Sequence, residues 1–530
     1  MKQTSSEYPI LSCREAARLE ASLLGDETAE WAAMQLAGAG IARAFLRDYQ
    51  ELAPLPEAFN LLALIGKGNN GGDALIACSQ LLKDFPDSRI TLLFTEDEDH
   101  LKPLAKRACG PLRGRANHYR ILSDMDEATI RNILDQEAGD RGFDVCIDGL
   151  LGMSFKPPVR KPMARLINVV NSFDRIHLRA AVDLPSGKGD ASDELFFRAD
   201  FSYATGIPKK VLFEESQDCG RIRVIDLGFH KNPECAAFKT RDTVLAADAV
   251  LQPLQTLRPT DANKYTFGHL FIIGGSATMP GALLMAVQAA LRSGVGLVTA
   301  FAPSSVAPAL AAQVPEAMWV PWPEKSSGSL DEAAIDLFLE RANRATAVLI
   351  GPGMGKDTGV AKLARDIIGQ VELPIVLDAD ALRIEVIQSV SDKRKAGSAP
   401  VILTPHTGEF ARMARLETGD VPNETLRAFC REYGVTTVLK GPLTRICDGD
   451  YVRYSIHGGP VLSRGGSGDL LAGLSSGMLA QKQFDMFSAV SCAITLHGLA
   501  AERLAQRKGQ VCVHTTQLLD YLSEVLRMGG

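Results

Sequence analysis

The chain has no C-x-x-C pair among its ten cysteines, no apolar run of membrane-spanning length and no excess of basic residues. Cys13, Cys78, Cys109, Cys146, Cys219, Cys235, Cys430, Cys447, Cys492 and Cys512 are scattered, which removes the usual zinc and dithiol signatures and reads as reduced core thiols. The most apolar stretch, 281–303, is broken by Gln288 and Arg292, so no membrane partner is expected. The first residues, Met1 to Glu7, lack the apolar centre of a signal peptide, and cytoplasm is the expected compartment. A formal net charge of −6 argues against a generic nucleic-acid binder, so anionic ligands have to be held by local groups. What is present is 530 residues with 46% hydrophobic and 23% charged content, a soluble globular composition too long for one ordinary core.

Short β-like runs alternate with helix-like segments, the pattern of parallel sheets covered by helices. In the first half, Leu61 to Ile65, Ile90 to Phe94, Phe143 to Ile147 and Arg179 to Val182 read as buried strands. Segments Ala74 to Leu82 and Met163 to Val170 have helical spacing, and two amphipathic helices, about Cys13 to Leu24 and Ala29 to Leu46, precede the first strand. The pattern weakens across Phe229 to Thr243 and resumes with strands at Phe271 to Ile273, Leu297 to Phe301, Ala347 to Ile350, Ile375 to Leu377, Val401 to Leu403 and Thr437 to Leu439. Two α/β domains are expected, 1–232 and 243–530, joined by a linker over 233–242; their glycine motifs differ, so they are not repeats.

The most informative stretch is Gly465-Gly466-Ser467-Gly468-Asp469, which runs into an apolar helical segment. Successive backbone N–H groups of such a turn converge on an anion at a helix N-terminus. An acid there repels phosphate, so its chemical use is to take the proton of a hydroxyl that attacks the phosphate; the alternative is a glycine-rich helix entry with Asp469 as a dipole partner. Gly274-Gly275-Ser276 with Gly281-Ala282, Gly351 to Gly355, Leu403 to Glu409 and Val438 to Gly441 are further loops at strand carboxyl ends, where open α/β sheets bind ligands. Taken alone, His406 reads more readily as a capping or core-edge residue than as a catalyst, and Lys440 equally as a solvated strand-end lysine.

With Lys264 to Gly268 and Asp378-Ala379-Asp380-Ala381-Leu382, this set resembles the ADP- or ATP-dependent NAD(P)H-hydrate dehydratases, ribokinase-like α/β/α enzymes. The resemblance spans the second half from about Ala246. It implies that Ala282, Gly353 or Gly355, His406 and Asp469 contact the hydrated nicotinamide nucleotide. It also assigns Lys440, Gly441, Pro442, Leu443 and Thr444, with Gly466, Ser467 and Gly468, to the adenine nucleotide. ADP or ATP is then the phosphoryl donor, with Mg²⁺ on its phosphates. The chain departs from the family at Ser467, where threonine is usual, and at Tyr265-Thr266-Phe267.

The first half carries Gly66-Lys67-Gly68-Asn69-Asn70-Gly71-Gly72-Asp73 directly after a strand, without the spacing of a dinucleotide fingerprint. Adjacent asparagines tolerate left-handed backbone angles and present amide oxygens to a cation or ligand, or simply make a turn. Asp148 to Phe155 and Asp183-Leu184-Pro185-Ser186-Gly187 add acids and hydroxyls at two further strand ends; for Asp148 and Ser186 helix capping is the alternative. With Thr205-Gly206-Ile207-Pro208-Lys209, these stretches resemble the NAD(P)H-hydrate epimerase domain, a Rossmann-like three-layer α/β/α fold. The resemblance implies potassium ligands at Asn70, Asp148 and Ser186. Substrate contacts follow at Asn69, Asn70, Gly71, Gly72, Asp73, Gly152, Met153, Ser154, Phe155 and Asp183, with Asp183 as the acid/base. Departures fall at Ala74 and at Gly152-Met153-Ser154.

The expectation is a bifunctional isomerase and lyase that repairs NADH hydrate and NADPH hydrate: epimerisation of the R and S forms, then nucleotide-dependent dehydration of S. It leaves room for a homo-oligomer. The rival is a ribokinase-like kinase of a vitamin alcohol fused to a non-catalytic nucleotide-binding domain.

Overall fold

A computed structural model describes residues 7–122, 124–393, 398–417 and 420–527. The chain divides between Thr240 and Arg241 into two compact units.

The sheet of the first unit is built from β1 (Asn60–Ile65), β2 (Arg89–Phe94), β3 (Asn117–Arg120), β4 (Phe143–Gly149), β5 (Ile176–Val182), β6 (Phe201–Thr205) and β7 (Arg221–Ile225). It has seven strands in the order β3-β2-β1-β4-β5-β6-β7, every pair parallel. Leu61 to Ile65 are wholly buried, as a strand covered by helices on both faces must be. The chain moves outward from β1 through β2 to β3 and then returns to place β4 on the other side of β1. The crevice of such a sheet therefore lies beyond the carboxyl ends of β1 and β4.

Three strands of this unit, β3, β6 and β7, went unread in the sequence because they lack a continuous apolar run. β7 alternates Arg221, Ile222, Arg223 and Val224, and Arg223 is buried against Asp48, with Nη2 3.0 Å from Oδ1. The Arg179 to Val182 strand begins earlier, at Ile176, where exposed His177 interrupts the run. The helix expected at Ala74 begins at Asn69, with Gly68 as its N-cap and no side-chain cap. Asn69 to Asp73 are thus its first turn, a start that local propensity disfavours and that packing onto the sheet supplies.

The second unit holds β8 (Asp242–Leu245), β9 (His269–Ile273), β10 (Leu297–Pro303), β11 (Met318–Trp322), β12 (Ala347–Ile350), β13 (Ile375–Leu377), β14 (Val401–Leu403), β15 (Thr436–Leu439), β16 (Thr444–Cys447) and β17 (Val452–Ser455). Their order is β8-β17-β16-β15-β14-β13-β12-β9-β10-β11. Pairing is parallel from β11 to β15 and antiparallel through β15, β16 and β17. The direction of winding changes between β9 and β12, which sets the second crevice at their carboxyl ends. The helix Ser467–Leu479 is buried along nearly its whole length and packs on Pro280–Arg292; Gly473 and Gly477 permit the close approach, since a Cβ on either would run into Ala286 O or Ser293 Oγ.

Residues Pro233–Ala237 form a 3₁₀ turn in which buried Cys235 joins the cluster of Phe229 and Ile207, and β8 starts at Asp242. All ten cysteines are free, and Cys512 alone is exposed. No helix among the described residues is long and apolar enough to cross a membrane.

Candidate active sites

In the first unit the loops after β1 and β4 touch: a Cβ on Gly66 would overlap the carbonyl oxygen of Leu150. Asn70 Nδ2 donates to the carbonyls of Leu151 (2.8 Å) and Val182 (2.9 Å), which binds the ends of β4 and β5 to the helix Asn69–Asp84. Its Oδ1 has no donor among the described residues. Asp148, fully buried, accepts from Ser186 N (2.7 Å), Ser186 Oγ (2.7 Å) and Leu150 N (3.2 Å). Ser186 Oγ in turn accepts from Leu151 N at 2.9 Å. Burial pushes the Asp148 carboxyl up to about 6 against the pull of these hydrogen bonds. Asn70, Asp148 and Ser186 therefore meet at one corner, an all-oxygen set whose hardness suits K⁺. Gly152 to Phe155 turn back beside it, with Phe155 N donating to Gly152 O at 2.9 Å; a Cβ on Gly152 would stand 2.6 Å from Asn70 Oδ1.

Asp183 follows β5 with φ +65°, a left-handed conformation that asparagine and aspartate tolerate better than most residues. Its Oδ1 accepts from Lys209 Nζ (2.5 Å) and from Thr205 N and Oγ1 (3.2 Å each). Lys209 is wholly buried and also lies 3.9 Å from Glu20 Oε1. Burial opposes its charge, but Asp183 and Glu20 outweigh that and keep it an ammonium. Burial, with Asp183 and Glu20 nearby, raises the Asp73 carboxyl well above its usual range, so Asp73 keeps its proton where Asp183 is ion-paired. Asp73 and Asp183 thus share this crevice, the first favoured neutral by burial and the second ion-paired to Lys209. Burial likewise raises Glu20, to about 7.

In the second unit Gly466 takes φ +90°, which a side chain would strain, and caps Ser467–Leu479 with no side-chain hydrogen bond. Ser467 N already donates to Arg464 O at 3.3 Å, while the Gly466 and Gly468 amides have no acceptor among the described residues and are left to an external anion. Asp469 lies in the same first turn, and burial pushes its carboxyl up to about 7, with Asp378 adding and Lys440 opposing. Lys440 leaves β15 beside the loop after β14: its N–H donates to Pro405 O at 2.8 Å, and His406 and Lys440 form a parallel bridge. His406 is indeed a helix cap, Nδ1 accepting from Gly408 N (3.0 Å) and Glu409 N (3.3 Å), yet its ring stays exposed at the crevice. Thr444 Oγ1 closes the Lys440 to Thr444 turn on Gly441 O at 3.5 Å. On the facing loops Gly353 abuts Ala282, its hypothetical Cβ lying 3.0 Å from the alanine Cβ, and Gly355 N donates to Asp380 Oδ2 at 2.8 Å.

Two family models match the chain, one described as YjeF-related protein N-terminus over 31–211 and one as NAD(P)H-hydrate dehydratase over 270–524. A protein of Gloeobacter violaceus named bifunctional NAD(P)H-hydrate repair enzyme Nnr is 32% identical over 98% of this chain and 96% of its own. The chain belongs to the bifunctional NAD(P)H-hydrate repair enzyme family. The Moorella thermoacetica member is 30% identical over 88% of this chain and 87% of its own. A solved Bacillus subtilis ADP/ATP-dependent NAD(P)H-hydrate dehydratase, co-crystallised with ATP and Mg²⁺, is 29% identical, covers 53% of this chain and 95% of its own, and gives a TM-score of 0.42.

For this family member, sequence reasoning missed Glu20, Lys209 and Asp378. Glu20 lies within the amphipathic helix Cys13 to Leu24 with no motif around it, and Lys209 and Asp378 entered only as parts of motifs. The burial of Glu20 and Lys209 together depends on β5, β6 and the first helix meeting in space, for which no local signal exists.

Proposed function

We propose that the first unit interconverts the R and S hydrates of NADH and NADPH through Asp183, and that the second dehydrates the S form with an adenine nucleotide through Asp469. The observation that carries the reading is Asp469 in the first turn of a helix whose cap, Gly466, offers no side chain and whose Gly468 amide is open, with the Lys440 ammonium beside it. Hydroxide leaves a reduced pyridine ring poorly. Asp469 takes the hydroxyl proton as that oxygen attacks the terminal phosphoryl group of ADP or ATP, and the Gly466 to Gly468 amides bind the charge developing on it. The carbon–oxygen bond then breaks, phosphate departs, and loss of a ring proton restores the double bond of NADH or NADPH. Mg²⁺ accompanying the nucleotide supplies positive charge to its phosphates.

At the first crevice Asp183, paired to Lys209, accepts a proton while Asp73, kept protonated by burial, donates one. Asn70, Asp148 and Ser186 would hold K⁺, whose charge offsets that of the substrate phosphates. Asp148→Ala is expected to abolish potassium stimulation of epimerisation and to weaken substrate binding, read by titrating KCl against the R-to-S rate; unchanged stimulation contradicts the ligand assignment.

Because the base must be unprotonated, dehydration is expected to rise with pH through about 7 and level off above it. Stopped assays from pH 5.5 to 9 that count phosphate released and NADH formed should show this limb with equal yields of the two products. A phosphorylated product retained in place of free phosphate would instead identify a small-molecule kinase.

A further inference from the structure

Asp378 stands at the carboxyl end of β13, almost wholly buried, and its Oδ1 accepts from Lys440 Nζ (3.0 Å) and from Thr404 Oγ1 (2.6 Å). Thr404 follows β14 and Lys440 follows β15, so one carboxylate joins the ends of three successive parallel strands. The backbone beyond it is constrained: Ala379 has φ +46°, a conformation retained where surroundings enforce it. The lysine it holds lies against the glycine loop, since a Cβ on Gly468 would be 2.9 Å from Lys440 Nζ. A carboxylate on this ammonium works against ground-state binding of phosphate, because it neutralises charge that the nucleotide would use. Its value has to lie in turnover.

We infer that Asp378 is a positioning residue for phosphoryl transfer, fixing the Lys440 ammonium over the Gly466 to Gly468 loop and setting the negative charge that Asp469 faces. The inference rests on Asp469 being the base. Asp469 is faced by Asp378 and Asp380 from the end of β13 and by Lys440 from the end of β15. Glu409, on the helix Thr407–Ala414, faces Lys440 in turn. His497, from the helix Met486–Lys508, lies with its ring toward the Ser467 carbonyl and stays neutral, burial lowering it to about 4. Removing the charge of Asp378 takes away a repulsion that keeps the proton on Asp469, so the acidic limb of turnover moves to lower pH.

Asp378→Asn keeps shape and hydrogen bonding and removes only the charge. Expected are a fall in dehydration kcat of about tenfold, a nucleotide KM that does not rise, and an acidic limb displaced downward by roughly half to one pH unit. Asp378→Glu, which keeps the charge but displaces it, should lower kcat and leave the limb within about 0.2 unit of the parent. A limb that does not move in Asp378→Asn, or a loss carried by a raised KM, overturns the inference. Should that variant not fold, Thr404→Val carries the test: loosening the anchor should lower kcat about threefold, and unchanged turnover overturns the inference. Asp469→Asn assayed in parallel separates the two claims, because retained turnover there defeats the base assignment itself.

Discussion

Asp469→Asn is expected to lower dehydration by about a hundredfold or more while leaving R-to-S conversion at the parent rate. The amide keeps the size of the carboxyl and its place in the first turn of Ser467–Leu479, but it cannot accept the hydroxyl proton. The uncapped amides and Lys440 remain, so nucleotide should bind with little change. Purified variant assayed with S hydrate and saturating nucleotide, with binding measured by calorimetry, distinguishes the outcomes. Dehydration within a few-fold of the parent would remove Asp469 from the chemistry.

The second large effect is expected at Asp183. Asp183→Asn should stop conversion of the R hydrate while dehydration of S proceeds, so a coupled assay consumes S and halts with R remaining, apart from slow spontaneous epimerisation. The geometry adds an effect on stability. Lys209 loses the negative charge of the partner 2.5 Å away, and its buried ammonium is left with an amide oxygen there, Thr205 O at 2.9 Å and Glu20 at 3.9 Å. A cost of about 1–3 kcal/mol is therefore expected for the first unit, visible in denaturant unfolding. The activity is to be read below that transition. Rapid consumption of R hydrate by the folded variant would move the acid/base role, with Asp73, the other acid of the crevice, next in line.

The strands that carry the two crevices were legible because strands buried on both faces are mostly apolar, as β12 and β14 are, as β1 is from Leu61 and as β4 is apart from Asp144 and Asp148. The glycine and acid motifs were legible for a related reason: they follow those strands directly, and a ligand site at strand ends needs small residues and few specific groups. β7 and β11 were not, since Arg223 in one and Pro321 in the other break the pattern. His406 shows a different limit. Its capping and its place in the crevice are compatible, whereas the sequence set them as alternatives. The ion pairs of Lys209 with Asp183 and of Lys440 with Asp378 span 26 and 62 residues, and no periodicity or spacing records such partners.

The central claim is that one chain returns both hydrates to reduced cofactor. The most direct measurement incubates the full chain with a defined mixture of R and S NADH hydrate, Mg²⁺, K⁺ and either ADP or ATP, and follows the reduced-nicotinamide absorbance with phosphate release. The account predicts recovery of both epimers, well beyond the S fraction and faster than spontaneous epimerisation, with one phosphate per NADH. Recovery that stops at the S fraction, or nucleotide consumed without NADH, would contradict it.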